Sequence, residues 1–378
     1  MRIPKHALAY PWSSCVLAVG SLLLSSIFAH ADEIRPDISA QLSHGPASMT
    51  ITPRGDFIVA IHQAFRPTDR VIRLARDGSV GPFPNFAIAG DRPSGAPFKL
   101  DSVQGIECDG DAIVWMVDNG RRGESVPKVV GWNSERDELH KIYYLPAPAT
   151  LPSSFLDDIA VDPEEPYLYI CDPAGGSDAA MLVINRETGL ARRVLQGHHS
   201  VIPDPSVGLR IENGPITAIG LNGSKMELQT GINPIAVDRK GDWVYFGPRM
   251  GTTLFRIRAE HLQNQSLTGV ELESRVEGYA EKPICDGISI DVKGNIYLGD
   301  LPGRAVGVIN AKERKYRRYS EDPRFLWIDG FCFGPDGNLY GYASQLHRSA
   351  LFNRGRNLAK PPFYIFRIKP LASGMVGR

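Results

Sequence analysis

The sequence predicts an all-β chain, a six-bladed β-propeller around a central channel. Three observations predict it: a short motif recurs six times, each copy is followed by an aromatic strand, and no long helical pattern competes. Each copy reads as a polar residue, a small or flexible one, three alternating strand residues, a turn and then the aromatic strand. The copies begin near Ala47, Gln104, Asp157, Asn233, Asp286 and Asp329.

The innermost strand comes first in each copy. In the fifth, Asp286-Gly287-Ile288-Ser289-Ile290-Asp291 alternates large and small residues with the two-residue period of a strand. Lys293-Gly294-Asn295 then supplies a tight turn, because Gly and Asn tolerate the positive φ that such turns need. The second strand is aromatic: Tyr167-Leu168-Tyr169, Trp243-Val244-Tyr245-Phe246, Ile296-Tyr297 and Leu339-Tyr340. A third strand follows, as in Met181-Leu182-Val183-Ile184-Asn185. A sheet this small cannot bury both faces alone, and packing such sheets radially into a closed ring solves that. The wide gap between the third and fourth copies holds residues 195–229, rich in Gly, Pro and Asn, expected as a long loop on one face. Residues 260–265 are expected to form a brief helical turn, and residues 34–44 to lend the outer strand that closes the last blade.

Before the first copy, Arg2, Lys5 and His6 precede a short apolar run, and Ala29-His30-Ala31 offers a small-x-small cleavage site. Residues 1–31 therefore read as a cleavable signal peptide and 32–378 as the propeller, which places the mature protein in a periplasm or outside the cell. The run is too short to span a bilayer of roughly 30 Å, and no later segment is long and apolar enough, so no membrane partner is expected after cleavage. Lys+Arg and Asp+Glu both total 42, which leaves no net charge to draw the chain to nucleic acid. Cys108, Cys171, Cys285 and Cys332 are widely spaced; they read as small buried hydrophobes, with disulfides left open by the exported compartment.

Aligning the copies puts Ala47, Gln104, Asp157, Asn233, Asp286 and Asp329 at one end of the six inner strands, so their side chains are expected to converge on the channel mouth. Carboxylates crowded there raise one another's pKa or recruit a cation. An oxygen-rich ring suits Ca²⁺ or a protonated amine. The alternative is that Asp-Gly and Asn-Pro serve the local turn through side-chain to backbone hydrogen bonds. Asp118-Asn119-Gly120 and Cys171-Asp172-Pro173 read as turn chemistry, His198-His199 as solvent-facing, and His347 as lining the cavity or capping a core. No nucleotide-loop, serine-hydrolase or zinc-protease motif is present.

At these residues the chain resembles the Yellow and major royal jelly protein family. The matching strings include Leu156-Asp157-Asp158-Ile159-Ala160-Val161-Asp162, Tyr169-Ile170-Cys171-Asp172-Pro173, Asp286-Gly287-Ile288-Ser289-Ile290-Asp291, Gly294-Asn295-Ile296-Tyr297-Leu298-Gly299-Asp300 and Gln345-Leu346-His347-Arg348. The resemblance implies a secreted six-bladed propeller with a ligand cavity at the channel mouth; relatives include dopachrome-converting enzymes and binders of biogenic amines. Asn233-Pro234 stands where that family has Asp-Gly and Ser344 where it has Asn, and both positions would face the ligand. A more distant likeness joins the calcium-dependent lactonases of the gluconolactonase type, whose metal ligands would fall on Asn233 and Asp286. Their first-blade glutamate is here Ala47, and Glu107 sits three residues along its strand.

The expected function is binding of a small metabolite, an amine, phenol or similar, by Gln104, Asp157, Asn233, Asp286, Asp329 and Ser344. The alternatives are an enzyme at the same mouth or a scaffold whose long loop binds a protein. The enzyme would be a dopachrome-type isomerase with Asp157 or Asp286 as general base, or a Ca²⁺-assisted lactone hydrolase in which Asp286 activates water.

Overall fold

The computed structural model describes residues 34–91, 95–120, 125–212, 214–219 and 225–378. The expected signal peptide lies outside the described residues. Six four-stranded antiparallel sheets stand around a central axis. Their inner strands are Pro46–Ile51, Val103–Cys108, Ile159–Val161, Ile232–Val237, Cys285–Ile290 and Ile328–Phe333, and we number the blades one to six in that order. Blades one to five run outward in chain order. Blade six runs inner strand, Leu339–Ala343, Phe363–Ile368 and finally Asp37–Leu42 from the start of the described chain, paired antiparallel to Phe363–Ile368.

The core lies between blades. Tyr169 and Phe246 join blades three and four, Tyr245 and Leu298 join four and five, and Tyr297 and Phe333 join five and six. The aromatic second strands thus fill inter-blade seams instead of facing the channel. In four of the six repeats an aspartate after the inner strand holds the aromatic residue there. Asp109 accepts the Trp115 indole N–H at 2.8 Å, and Asp162, Asp291 and Asp336 accept the hydroxyls of Tyr169, Tyr297 and Tyr340 at 2.9, 3.2 and 2.9 Å. A buried aromatic polar group needs such a partner.

The polar residue that opens each repeat has a different task. Five of the six inner strands carry a register shift at that position, spanning Ala47, Gln104, Asn233-Pro234, Asp286-Gly287 and Asp329. A β-bulge re-aims a side chain out of the regular alternation, here at one end of the channel. The glycine after the polar residue follows from the crowding. A Cβ on Gly287 would lie 2.4 Å from the Asp329 carbonyl oxygen, and one on Gly105 would lie 2.3 Å from that of Asp157.

The far end of the channel is closed by the last residues of the chain. The Gly377 carbonyl accepts from Thr50 Oγ1 at 2.6 Å, and the Arg378 carbonyl accepts from Phe333 N at 2.9 Å and Ser289 Oγ at 3.0 Å. The Arg378 guanidinium donates to the Val161 carbonyl at 2.7 Å and stands 3.6 Å from Glu107.

The described residues within 195–229 are more structured than a loop. They contain the paired strands Arg210–Ile211 with Gly214–Pro215, and Thr217–Ile219 with Lys225–Glu227. Leu209, Ile211 and Ile216 pack on Met250, Ile284, Leu301, Trp327 and Leu346 at the bulged end of the ring. The expected helical turn is present as Ala259–Gln263, followed by a second short helix, Gly269–Glu273. Cys108, Cys171, Cys285 and Cys332 are all buried and free.

Candidate functional site

Four of the expected residues meet, and they meet around a cation that the repeat alignment did not reveal. Arg249 follows the second strand of blade four, Trp243–Pro248. Its Nη2 lies 3.3 Å from Asp157 Oδ2 and also donates to Asp286 Oδ1. Asn233 Nδ2 donates to that same Asp286 oxygen, and the Trp327 indole N–H donates to Asp286 Oδ2 at 2.5 Å. Asp329 completes the group through its charge on Arg249. The cluster is withdrawn from solvent: Asp286 is fully buried, and the side chains of Arg249 and Asp157 are 10% and 15% exposed.

The backbone of Arg249 is fixed from two sides. Its N–H donates to the Gly231 carbonyl at 2.8 Å, and the next N–H, of Met250, donates to the Thr230 carbonyl at 3.1 Å. Lys282 Nζ donates to the carbonyls of Pro248 at 2.9 Å and Gly251 at 2.7 Å, which bracket Arg249 and Met250. Burial lowers the Lys282 pKa, offset in part by Cys285.

Electrostatics follow from burial. Burial raises the Asp157 carboxyl to about 7, with Arg249 opposing and Asp286 adding to the rise. The neighbouring Asp158 is raised well above the ordinary range, first by burial and then by Asp157, and so is Asp329, first by burial and then by Asp286. Burial alone would lower the Arg249 pKa, but Asp286, Asp157 and Asp329 together raise it. Among the described residues, three buried polar atoms in this group have no hydrogen-bond partner: Asn233 Oδ1, Arg249 Nε and Asp329 Oδ2.

Two expected ligand residues make their hydrogen bonds elsewhere. Gln104 Nε2 donates to Ser102 Oγ at 3.3 Å, in a chain that continues to Gln63, and the Ser344 hydroxyl lies 3.4 Å from the Trp327 carbonyl. Asp118 and Asp172 each make one local turn bond and otherwise tie distant segments together. Asp118 accepts from the N–H groups of Asp101, Ser102 and Gly120 and pairs with Lys128 at 2.8 Å; Asp172 accepts from Phe155 and Ala174 and pairs with Arg193 at 2.6 Å. His198 bonds Ser200 at 2.8 Å, and its ring lies 4.0 Å from that of His199, which in turn meets Phe255. His347 stacks on Trp327 with ring centroids 6.0 Å apart and planes at 9°.

The calcium expectation rested on Asn233 and Asp286. These two residues meet, but an amide N–H and a guanidinium already occupy the Asp286 oxygen that a cation would need. Ala47 brings no oxygen, and Glu107 is engaged with the Val161 N–H at 3.0 Å and Arg378 at the opposite end. Among the described residues no group of three His, Cys, Asp or Glu is placed to hold a metal ion. The donor set fits a guanidinium and does not fit Ca²⁺.

Below the cluster lies a cavity of about 40 Å³ lined by Ser48, Glu107, Asp158, Ser289, Tyr342 and Arg378, room for a few waters and too small for a metabolite. Burial raises the Glu107 carboxyl to about 7 against the pull of Arg378.

The sequence profile of the major royal jelly protein family matches residues 101–322, more than half of the chain. The chain belongs to the major royal jelly protein family. No curated protein matches it in sequence. Among solved structures, this family member is similar to regucalcin, a calcium-binding protein from Agrobacterium tumefaciens, with a TM-score of 0.53 and 13% identity over 91% of this chain and 98% of that one. It is also similar to a luciferin-regenerating enzyme (TM-score 0.52, 11% identity, 90% and 98% covered) and to a gluconolactonase from Xanthomonas campestris (0.50, 11%, 89% and 95%). At such identities the likeness carries the six-bladed fold alone.

Proposed function

We propose that this major royal jelly protein family member is exported and binds a small polar metabolite bearing an amine at the bulged end of its channel. The observation that carries the reading is the set of three unpartnered buried atoms, Asn233 Oδ1, Arg249 Nε and Asp329 Oδ2, in one cluster. An orphaned buried polar group costs about 1–3 kcal/mol, so three together describe a site whose partner is a ligand offering both donors and acceptors. Asp157, Asp286 and Asp329 face the single cation Arg249, and a cationic ligand would draw the burial-raised Asp157 and Asp329 into their charged forms, which favours a cation over an anion.

The test is calorimetry against a panel of aryl-alkylamines, phenols and their acidic counterparts. Binding of an amine lost in Asp286→Asn and retained in Gln104→Ala supports the reading. Uniform silence across the panel, or preference for acids, overturns it.

A second reading, an isomerase moving a proton on a dopachrome-like compound, is favoured by one observation. Burial raises Asp157 to about 7 beside a fixed guanidinium, which suits a general base that takes a proton from the substrate while Arg249 would stabilise the negative charge left on the substrate oxygen. Turnover that disappears in Asp157→Asn while amine binding persists would select it. Ca²⁺-assisted lactone hydrolysis would require the ion to displace Arg249 from Asp286; calcium titration with no stoichiometric uptake and no hydrolysis of a lactone panel removes it.

A further inference from the structure

The outer half of blade four carries a row of cations laid on aromatic rings. Trp243 stands opposite Arg258 on the third strand, Thr253–Arg258, and Tyr245 stands opposite Arg256. Residues two apart share a face, so both arginines reach the same side of the sheet. The Arg258 guanidinium lies 4.3 Å from the Trp243 ring centre and that of Arg256 lies 3.8 Å from it. Arg256 is also 5.3 Å from the ring of Tyr279, on the outer strand Glu277–Glu281. Arg314, in the segment that joins the last two strands of blade five, comes within 5.1 Å of that same ring. Cations and rings thus alternate from Arg258 through Trp243, Arg256 and Tyr279 to Arg314, across the seam between blades four and five.

Only the middle cation is neutralised. Glu277 accepts from Arg256 Nε at 3.0 Å and from its Nη2 at 2.8 Å. Among the described residues Arg258 and Arg314 form no ion pair, and both are exposed. Lys312 and Lys315, exposed on either side of Arg314, add two cations against one acid, Glu313. A charge that merely kept an edge strand from pairing would need no ring beneath it. Stacking fixes a side chain that otherwise samples many rotamers, and a fixed cation loses less entropy on meeting an anion. Lys+Arg and Asp+Glu both total 42, so attraction of a polyanion has to come from a local surface such as this one.

We propose that the rim of the seam between blades four and five binds an acidic polysaccharide through Arg256, Arg258 and Arg314, with Lys312 and Lys315 beside them. Carboxylates or sulfates that recur along a sugar chain match cations set in a row. Two guanidiniums already lie over each ring, which leaves little surface for the base stacking on which single-stranded nucleic acid binding depends. Trp243 begins the strand whose other end leads to Arg249, so this surface and the Arg249 cluster lie at opposite ends of the blade. The inference goes beyond the amine reading and does not rest on it. It adds that an exported protein would be held on an anionic matrix with its channel end left free.

The experiment is binding of the full chain to immobilised heparin and to immobilised polygalacturonate, from about 50 to 300 mM salt. The wild-type chain should be retained at low salt, and the tighter of the two arms tells sulfate from carboxylate. The double variant Arg258→Gln, Arg314→Gln should bind about ten-fold more weakly, with a log–log salt slope lower by about two, because two cations no longer displace counterions from the polyanion. Arg258→Lys with Arg314→Lys, which keeps the charge and loses the planar stack, should fall between the two. No retention of the wild type on either matrix, or retention that the double glutamine variant leaves unchanged, overturns the surface. Tighter binding to a single-stranded oligonucleotide, or to vesicles of equal phosphatidylglycerol and phosphatidylcholine, overturns the choice of partner. Tyramine binding at the channel end should be the same in all these variants, so either reading can fail without the other.

Discussion

Replacing Arg249 by methionine tests the cluster most directly. The substitution keeps much of the apolar stem and removes the cation set between Asp157, Asp286 and Asp329. At 3.3 Å and an effective dielectric of about 20, one such pair is worth on the order of 5 kcal/mol before desolvation. Breaking a buried pair by removing one partner costs about 3–5 kcal/mol, because the other charge stays behind. Urea unfolding of Arg249→Met at pH 8 should therefore show a loss of about 3–5 kcal/mol. At pH 5 the loss should shrink, since Asp157 and Asp329, both raised by burial, are already protonated there and leave less charge for the guanidinium to hold. Adding Asp286→Asn should recover part of the stability at pH 8, because the double variant no longer buries that unpaired charge. A loss below about 1 kcal/mol at pH 8, or an equal loss at both pH values, would show that the guanidinium does not hold the carboxylates together.

Three other outcomes are expected. Glu107 is raised from 4.5 to about 7, so the stability it confers is full below its unfolded value and is lost as pH climbs through 7; Glu107→Gln should flatten that decline, by roughly 3 kcal/mol at most, in melting curves taken from pH 4 to 8. Gly287→Ala places a methyl 2.4 Å from the Asp329 carbonyl and should cost about 1–3 kcal/mol in urea unfolding, with a wild-type midpoint refuting the crowding between blades five and six. The four buried thiols should resist a disulfide-exchange reagent in native buffer and react together in denaturant; rapid labelling of any one in the folded protein would contradict its burial.

Much of this was legible in the repeats. The alternation in Asp286-Gly287-Ile288-Ser289-Ile290 and its copies located the inner strands, and the opening polar residue was expected at the channel end where the bulges now place it. Arg249 escaped because only the starts of inner strands were aligned. It belongs to a second register, the ends of the second strands, which also holds Asn119, Leu301 and Ser344; of these Asn119 was read as turn chemistry and only Ser344 was expected at the ligand. The direction of the aromatic residues was not legible, because a propeller sequence does not say which face of a second strand meets its neighbour; Tyr169 and Tyr297 turn to the seams, where Asp162 and Asp291 accept from their hydroxyls. Residues 195–229 were read as loop because two- and three-residue strands leave no periodicity to detect.

The tail that crosses the far end of the ring has its own consequence. With Gly377 and Arg378 bonded to blades one, three, five and six, the passage becomes a blind well with a single entrance. Nothing can be threaded through such a vessel. A guest of the kind proposed above would have to leave by the door it came in.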